Sequence, residues 1–355
     1  MIEEQANAYH LLATEYPVAM RNYADEPLSL AKQLAGTTLS SVESLLKARE
    51  YSKTPLAAND LVHLKKRIVE TDSNGLIEFM ESARTLDDIH GMESVKLWLR
   101  QDISLWRDND LSALPKGYLI CGPVGTGKSF LVECLAGEAG VPVVKLKNFR
   151  DKWVGSTEGN LERIFRLLHA LGRCYVFVDE ADQALGKREG SGDSGLSGRV
   201  YSMIAEEMGN SASRGHIMWI LASSRPDLIE VDLKRPGRID VTIPLFPTAS
   251  AEESRNLLVA LCKLRGLTLT AADFEGLTDH MPVLLTAGAA ESLAAKIYRE
   301  VRTTKLRATE VLLRCLRDYR APVALSVIEA QIRTAVREAS DVNFIPVEFV
   351  RWLEP

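Results

Sequence analysis

No apolar run in these 355 residues approaches the ~18–20 needed to cross a bilayer. The opening stretch MIEEQANAYH lacks the charged-then-apolar layout of a signal peptide. Cysteine is scarce: there are five, an odd number, widely spaced at 121, 134, 174, 262 and 315, with no C-x-x-C pair. Three of them fall in apolar runs, so the expectation is buried, reduced thiols in a cytoplasmic protein away from membranes. Positive charge is not in excess either. A net charge of −5 gives no electrostatic footprint for wholesale nucleic-acid binding and leaves room only for a local basic patch. No internal repeat is found. What remains is ordinary for globular proteins, with 46% hydrophobic and 26% charged residues, and the length suffices for two or three domains that each bury a core.

Against that plain background one stretch stands out: Gly122-Pro123-Val124-Gly125-Thr126-Gly127-Lys128-Ser129, which fits G-x-x-x-x-G-K-[ST]. A short apolar run at 118–121 precedes it and reads as a buried strand. After it, from Phe130 to Ala136, apolar residues recur at helical spacing. Strand, glycine loop and helix start together make an anion site, because glycines let backbone N–H groups point inward and the helix N-terminus adds partial positive charge. Lys128 is expected to reach the β- and γ-phosphates of a nucleotide, and the Ser129 hydroxyl to ligate Mg²⁺.

The rest of the chain divides into three. Residues 1–83 read as mostly helical, interrupted by Pro55 and by Asn74-Gly75; they carry no chemical motif and suit either a partner-binding adaptor or a structural appendage. Residues 84–248 alternate short apolar runs (118–121, 141–146, 174–178, 216–222, 241–243) with amphipathic helical stretches (127–139, 159–171, 197–209). That alternation predicts an α/β domain with a parallel sheet covered by helices. The segment 190–198, GSGDSGLSG, reads as a flexible loop or linker. In residues 249–355 the strand pattern vanishes and helical runs at 251–264, 287–303, 304–318 and 323–339 predict a small all-α lid.

Downstream of the loop, Val176-Phe177-Val178-Asp179-Glu180 reads as a buried strand that ends in two carboxylates. In a phosphate-loop enzyme a strand near the loop delivers an acid to the Mg²⁺ shell, a role that suits Asp179. Glu180, one residue on, is placed to act as general base toward an attacking water. Two solvated acids at a strand end are the plain alternative.

The combination of GPVGTGKS, VFVDEAD, SSRPD and KRPGRID, in that order, resembles the AAA-family ATPases of the clade with a second region of homology. The resemblance spans roughly 84–340. Segments 61–99 and 192–200 are more narrowly similar to single-module AAA proteins of cyanobacteria and plastids. It implies a P-loop NTPase fold, ATP and Mg²⁺ as ligands, and a homo-oligomer, usually a hexameric ring. The whole stretch Gly122, Pro123, Val124, Gly125, Thr126, Gly127, Lys128, Ser129 and Phe130 then binds nucleotide, as do Asp88 and Ile89 beside the adenine. His90 stands where the family has glycine, either stacking on the base or simply on the surface. Ser224 falls at the sensor-1 position in place of the usual Asn. Arg235 and Arg238 match the paired arginines that reach a neighbouring subunit's γ-phosphate. Gly288-Ala289 matches the G-A pair that opens a lid helix. Trp153-Val154-Gly155 occupies the place of a pore loop that grips protein substrates, with 190–198 as a second pore-facing loop; a tryptophan tucked into the core is the alternative.

Two classes of function follow from the resemblance. One is a ring ATPase that remodels, unfolds or disassembles a protein partner; the other is a nucleic-acid-handling AAA+ ATPase of the loader or initiator type, and a third, lesser alternative is a non-threading switch whose ATP state only gates a partner. The acidic balance favours a protein partner over nucleic acid. No H-E-x-x-H occurs in the sequence, which excludes the zinc-protease motif of membrane-bound AAA proteases from these residues.

Overall fold

The computed structural model describes residues 2–24, 27–33, 39–57, 60, 64, 75–80, 82–147, 157–185 and 194–352. The first helices, α1 (Ile2–Glu15), α2 (Pro27–Gln33) and α3 (Leu39–Tyr51), close on a small core of their own that includes Tyr9, Met20, Leu30, Leu46 and Leu56. The Glu50 carboxylate fastens the turn after α1 by accepting the backbone N–H groups of Val18 and Ala19 at 3.0 and 2.8 Å.

Six strands then form one sheet in the order β1-β3-β4-β5-β2-β6. These are β1 (Ile77–Met80), β2 (Gly117–Cys121), β3 (Val143–Leu146), β4 (Cys174–Val178), β5 (Ile217–Ser223) and β6 (Val241–Pro244). All neighbours pair in parallel except β1, which runs antiparallel to β3 along the edge, from Ile77 opposite Leu146 to Met80 opposite Val143. The sheet is therefore mixed, and its one antiparallel strand comes from a segment whose sequence was expected to be mostly helical. Four residues with only Ile77 and Phe79 facing inward are too short a run to show alternation; the strand exists because β3 offers it a ladder.

Both faces of the sheet are covered, which explains why its strands read as continuous apolar runs. Leu119, Val144, Val176, Val178, Trp219 and Leu221 face α6 (Thr157–Leu171) and α8 (Ser194–Gly209). Tyr118, Ile120, Tyr175, Phe177, Met218 and Ile220 face α4 (Glu93–Arg107) and α5 (Lys128–Ala139). A short helix, α7 (Ala181–Leu185), follows β4. Helix α8 begins at Ser194, so the second half of the expected Gly/Ser loop is helical. The apolar spacing of Val200, Ile204, Ala205 and Met208 against the sheet carries the helix back through weak helix formers.

Beyond the sheet, α9 (Ala251–Leu264), α10 (Ala287–Thr303) and α11 (Ala308–Arg317) enclose a separate core of Leu258, Leu293, Ile297, Leu312 and Leu316. Ser250 and Thr286 cap α9 and α10, their side chains accepting the N–H groups of Glu253 and Ala289. The last elements, α12 (Leu325–Glu338) and α13 (Val347–Val350), return to the sheet domain. Ser340 and Thr242 exchange hydrogen bonds at 2.7 and 3.1 Å, Phe344 meets Trp98 edge-on at 5.5 Å, and Phe349 stacks on Phe246 at 5.1 Å. All five cysteines are free and buried. Among the described residues no helix is long and apolar enough to cross a membrane.

Candidate nucleotide site

Strand order sets the site. β5 lies between β2, which leads into the glycine loop, and β4, which ends at Asp179. The C-terminal ends of three adjacent parallel strands therefore deliver the loop, Ser223-Ser224 and Asp179-Glu180 to one crevice, where open α/β sheets bind ligands.

The loop requires glycine at its root. A Cβ on Gly122, whose φ is +140°, would lie 2.1 Å from the Leu245 carbonyl oxygen. At its end Gly127 takes φ +89° as the N-cap of α5, so the chain turns directly into the helix and leaves the first N–H groups of that helix without intrahelical acceptors. Lys128 folds back over the loop, its Nζ donating to the carbonyls of Gly122 at 2.8 Å and Pro123 at 2.9 Å. Burial, offset in part by nearby acids that include Asp179 and Asp182, brings its pKa down to about 8. A buried ammonium resting on two neutral carbonyls is a cation short of an anion, and phosphate oxygens would supply one.

Ser129 Oγ donates to Asp179 Oδ2 at 3.2 Å. These are hard oxygen donors, and among the described residues no group of three or more His, Cys, Asp or Glu is arranged to hold a metal alone. The donor set fits a divalent cation whose shell is completed by phosphate oxygens and water. Asp179 is positioned from both sides: Oδ1 accepts the N–H of Glu180 at 3.1 Å, and Oδ2 also takes the ammonium of Lys145 on β3 at 2.8 Å. Glu180 turns out of the strand end with φ +48°, uncommon for a residue with a side chain, and is exposed.

Ser224, the expected sensor, follows β5 and is half-buried. Its neighbour Ser223 makes the polar link, donating to Asp182 Oδ1 at 2.5 Å and accepting the Arg225 N–H at 2.9 Å. Asp88 uses its carboxylate to cap the turn of Leu86–Asp88, accepting the Thr85 N–H at 2.8 Å. Ile89 packs against the sheet core, and His90 is exposed. Phe130 lies under the Arg84 guanidinium at 4.8 Å.

The helical lid touches the crest of the loop. Gly288 N–H donates to Gly125 O at 2.8 Å, Thr286 Oγ1 lies 3.1 Å from where a Cβ on Gly125 would stand, and Val124 N–H donates to Gln331 Oε1 at 3.1 Å. Gly288 thus meets the loop through backbone rather than side chain, at the start of the helix that the G-A pair opens.

Arg235 and Arg238 sit on the turn before β6. Asp240 fixes that turn by accepting the N–H groups of Gly237 at 2.6 Å and Lys116 at 2.7 Å. Both arginines pair with Asp232; Arg235 remains exposed, whereas Arg238 is largely covered. Trp153, Val154 and Gly155 lie outside the described residues, as do 190–193. Sequence reasoning missed Lys145, Asp232 and Gln331. Their partners are distant in sequence or lie in a turn whose pairing only the fold reveals, so no motif announces them.

Comparison with known proteins agrees with this geometry. The family model for "ATPase family associated with various cellular activities (AAA)" matches residues 118–246. An ATP-dependent zinc metalloprotease, FtsH 2 of Symbiobacterium thermophilum, is 34% identical over 191 residues, 50% of this chain and 32% of that protein. A cell division cycle protein 48 homolog of Archaeoglobus fulgidus is 32% identical over 170 residues, 45% of this chain and 23% of that protein. The matches thus span no more than about a third of these relatives. The crystal structure of the FIGL-1 AAA domain in complex with ADP superposes with a TM-score of 0.59 at 19% identity, covering 78% of this chain and 97% of that one, a likeness of fold. The glycine loop, the strand-end carboxylates and the strand between them all lie inside the matched segment, so residues 118–246 of this chain carry a domain of the AAA family of ATPases.

Proposed function

We propose that this chain binds and hydrolyses ATP with Mg²⁺, assembles into a hexameric ring of identical subunits, and remodels, unfolds or disassembles a protein partner in the cytoplasm. The observation that carries the ATPase reading is the convergence of Lys128, Ser129 and Asp179 at one end of the sheet, with Glu180 immediately beyond. Similarity to an ATP-dependent enzyme supports the choice of nucleotide. Mg²⁺, when bound with the nucleotide, neutralises charge on the phosphates during transfer.

The residues divide the work. The α5 N-terminus and Lys128 hold the phosphates, Ser129 and Asp179 hold the cation, and Glu180 takes a proton from the attacking water. Ser224 orients that water with one hydroxyl, where an Asn would offer a donor and an acceptor. Arg235 and Arg238 act on the γ-phosphate of a neighbouring subunit, so hydrolysis requires assembly. A protein partner is favoured by the net charge of −5 and by the aromatic–aliphatic–glycine order of Trp153-Val154-Gly155.

Stimulation of hydrolysis tests the partner class. Unfolded protein should raise ATP turnover and single-stranded DNA should not. Trp153→Ala should abolish the stimulation while leaving basal hydrolysis and melting temperature near wild type. Stimulation by DNA alone would favour a nucleic-acid loader, and a melting temperature lowered together with activity would put Trp153 in the core.

A further inference from the structure

Lys145 is the one cation, among the described residues, whose ammonium is paired to the metal-side carboxylate. It stands on β3, with Glu78 of β1 opposite it on one side and Phe177 of β4 on the other. The cross-strand acid is not its partner: Glu78 pairs with Lys147 at 3.0 Å. The Lys145 ammonium instead reaches across β4, 5.3 Å from the centre of the Phe177 ring, to Asp179 Oδ2 at 2.8 Å. That is the same oxygen that accepts from Ser129 Oγ at 3.2 Å. Side chains of both Lys145 and Asp179 are about 30% exposed, so the pair is shielded but not sealed.

We propose that Lys145 is a positioning residue that holds Asp179 in the absence of metal and sets how strongly nucleotide binding depends on a divalent cation. The inference rests on the nucleotide site described above. The Lys145 ammonium and the Ser129 hydroxyl share one carboxylate oxygen of Asp179. The ammonium keeps Oδ2 turned toward Ser129, and it also places a unit charge beside the position of the cation, which weakens cation binding. The same charge adds to the attraction on phosphates when no cation is present. A neutral side chain at this position would tighten the divalent ion and weaken metal-free nucleotide.

The test is a titration of ADP by calorimetry, in EDTA and across a Mg²⁺ series, on the full chain and on Lys145→Met and Lys145→Arg. Methionine keeps the stem over Phe177 and removes the charge. In Lys145→Met the metal-free affinity should fall by about tenfold, and the Mg²⁺ concentration that half-restores tight binding should also fall by about tenfold. Lys145→Arg should keep both values within about threefold of wild type. If both values in Lys145→Met equal those of wild type, Lys145 is only a surface ion pair and the inference fails. If the wild-type chain binds ADP neither with nor without Mg²⁺, the nucleotide site itself is wrong and this inference falls with it.

Discussion

Lys128 carries its charge where the fold penalises it. Burial lowers its pKa to about 8, so it is an ammonium below that pH and largely neutral above. Phosphates interact with the charged form and raise its pKa when they bind. Nucleotide affinity should therefore be flat below about pH 7 and weaken as pH rises through 8, approaching about tenfold per unit. ADP titrations at pH 7, 8 and 9 check this, and an affinity unchanged to pH 9 would mean that the ammonium is not aimed at the ligand. The same residue also shows what a sequence can disclose. Lys128, Ser129 and Asp179 were legible as candidates because the roles proposed for them depend on local geometry, a loop entering a helix and a strand ending. Lys145 was not, because its pairing with Asp179 depends on which strands lie side by side and on Glu78 being taken by another lysine.

At the level of elements, the helices at 251–264 and 287–303 begin and end where periodicity and their Ser and Thr caps put them. Five of the strands were equally legible, as apolar runs buried on both faces. The exceptions have physical causes. β1 is too short to carry a period, and the start of α8 is rich in Gly and Ser, so its helicity comes from packing rather than propensity. The C-terminal elements likewise read as helical without any sign that they return to the sheet. Phe349 anchors that return, 3% exposed and stacked on Phe246. Phe349→Ala should cost ~3–5 kcal/mol, read by urea denaturation, with the nucleotide loop chemically untouched. A loss below about 1 kcal/mol would mean that the segment is only loosely held.

For the whole molecule, the role proposed for the paired arginines is what would couple one subunit to the next. Both are tied to Asp232 within the subunit, which presents them on a turn rigidified by Asp240. If they act across an interface, Arg235→Ala and Arg238→Ala should each retain ATP binding while losing ~10²-fold or more in hydrolysis. Mixing either variant with Glu180→Gln subunits should then restore part of the activity, because an intact arginine pair from one subunit meets an intact base in the next. Activity that stays at the sum of the separate variants at every ratio would place the arginines outside the catalytic arrangement.

The central claim is that the crevice formed by the glycine loop and the end of β4 hydrolyses ATP, with Glu180 as the base. Phosphate release from Mg·ATP by the wild-type chain and by Glu180→Gln, alongside calorimetric ATP binding to both, tests it most directly. The account predicts binding of similar strength in the two proteins and turnover only in the wild type, because the amide cannot accept the water's proton. Near-normal phosphate release by Glu180→Gln, or no release by the wild type under conditions where it binds Mg·ATP and assembles, would contradict it.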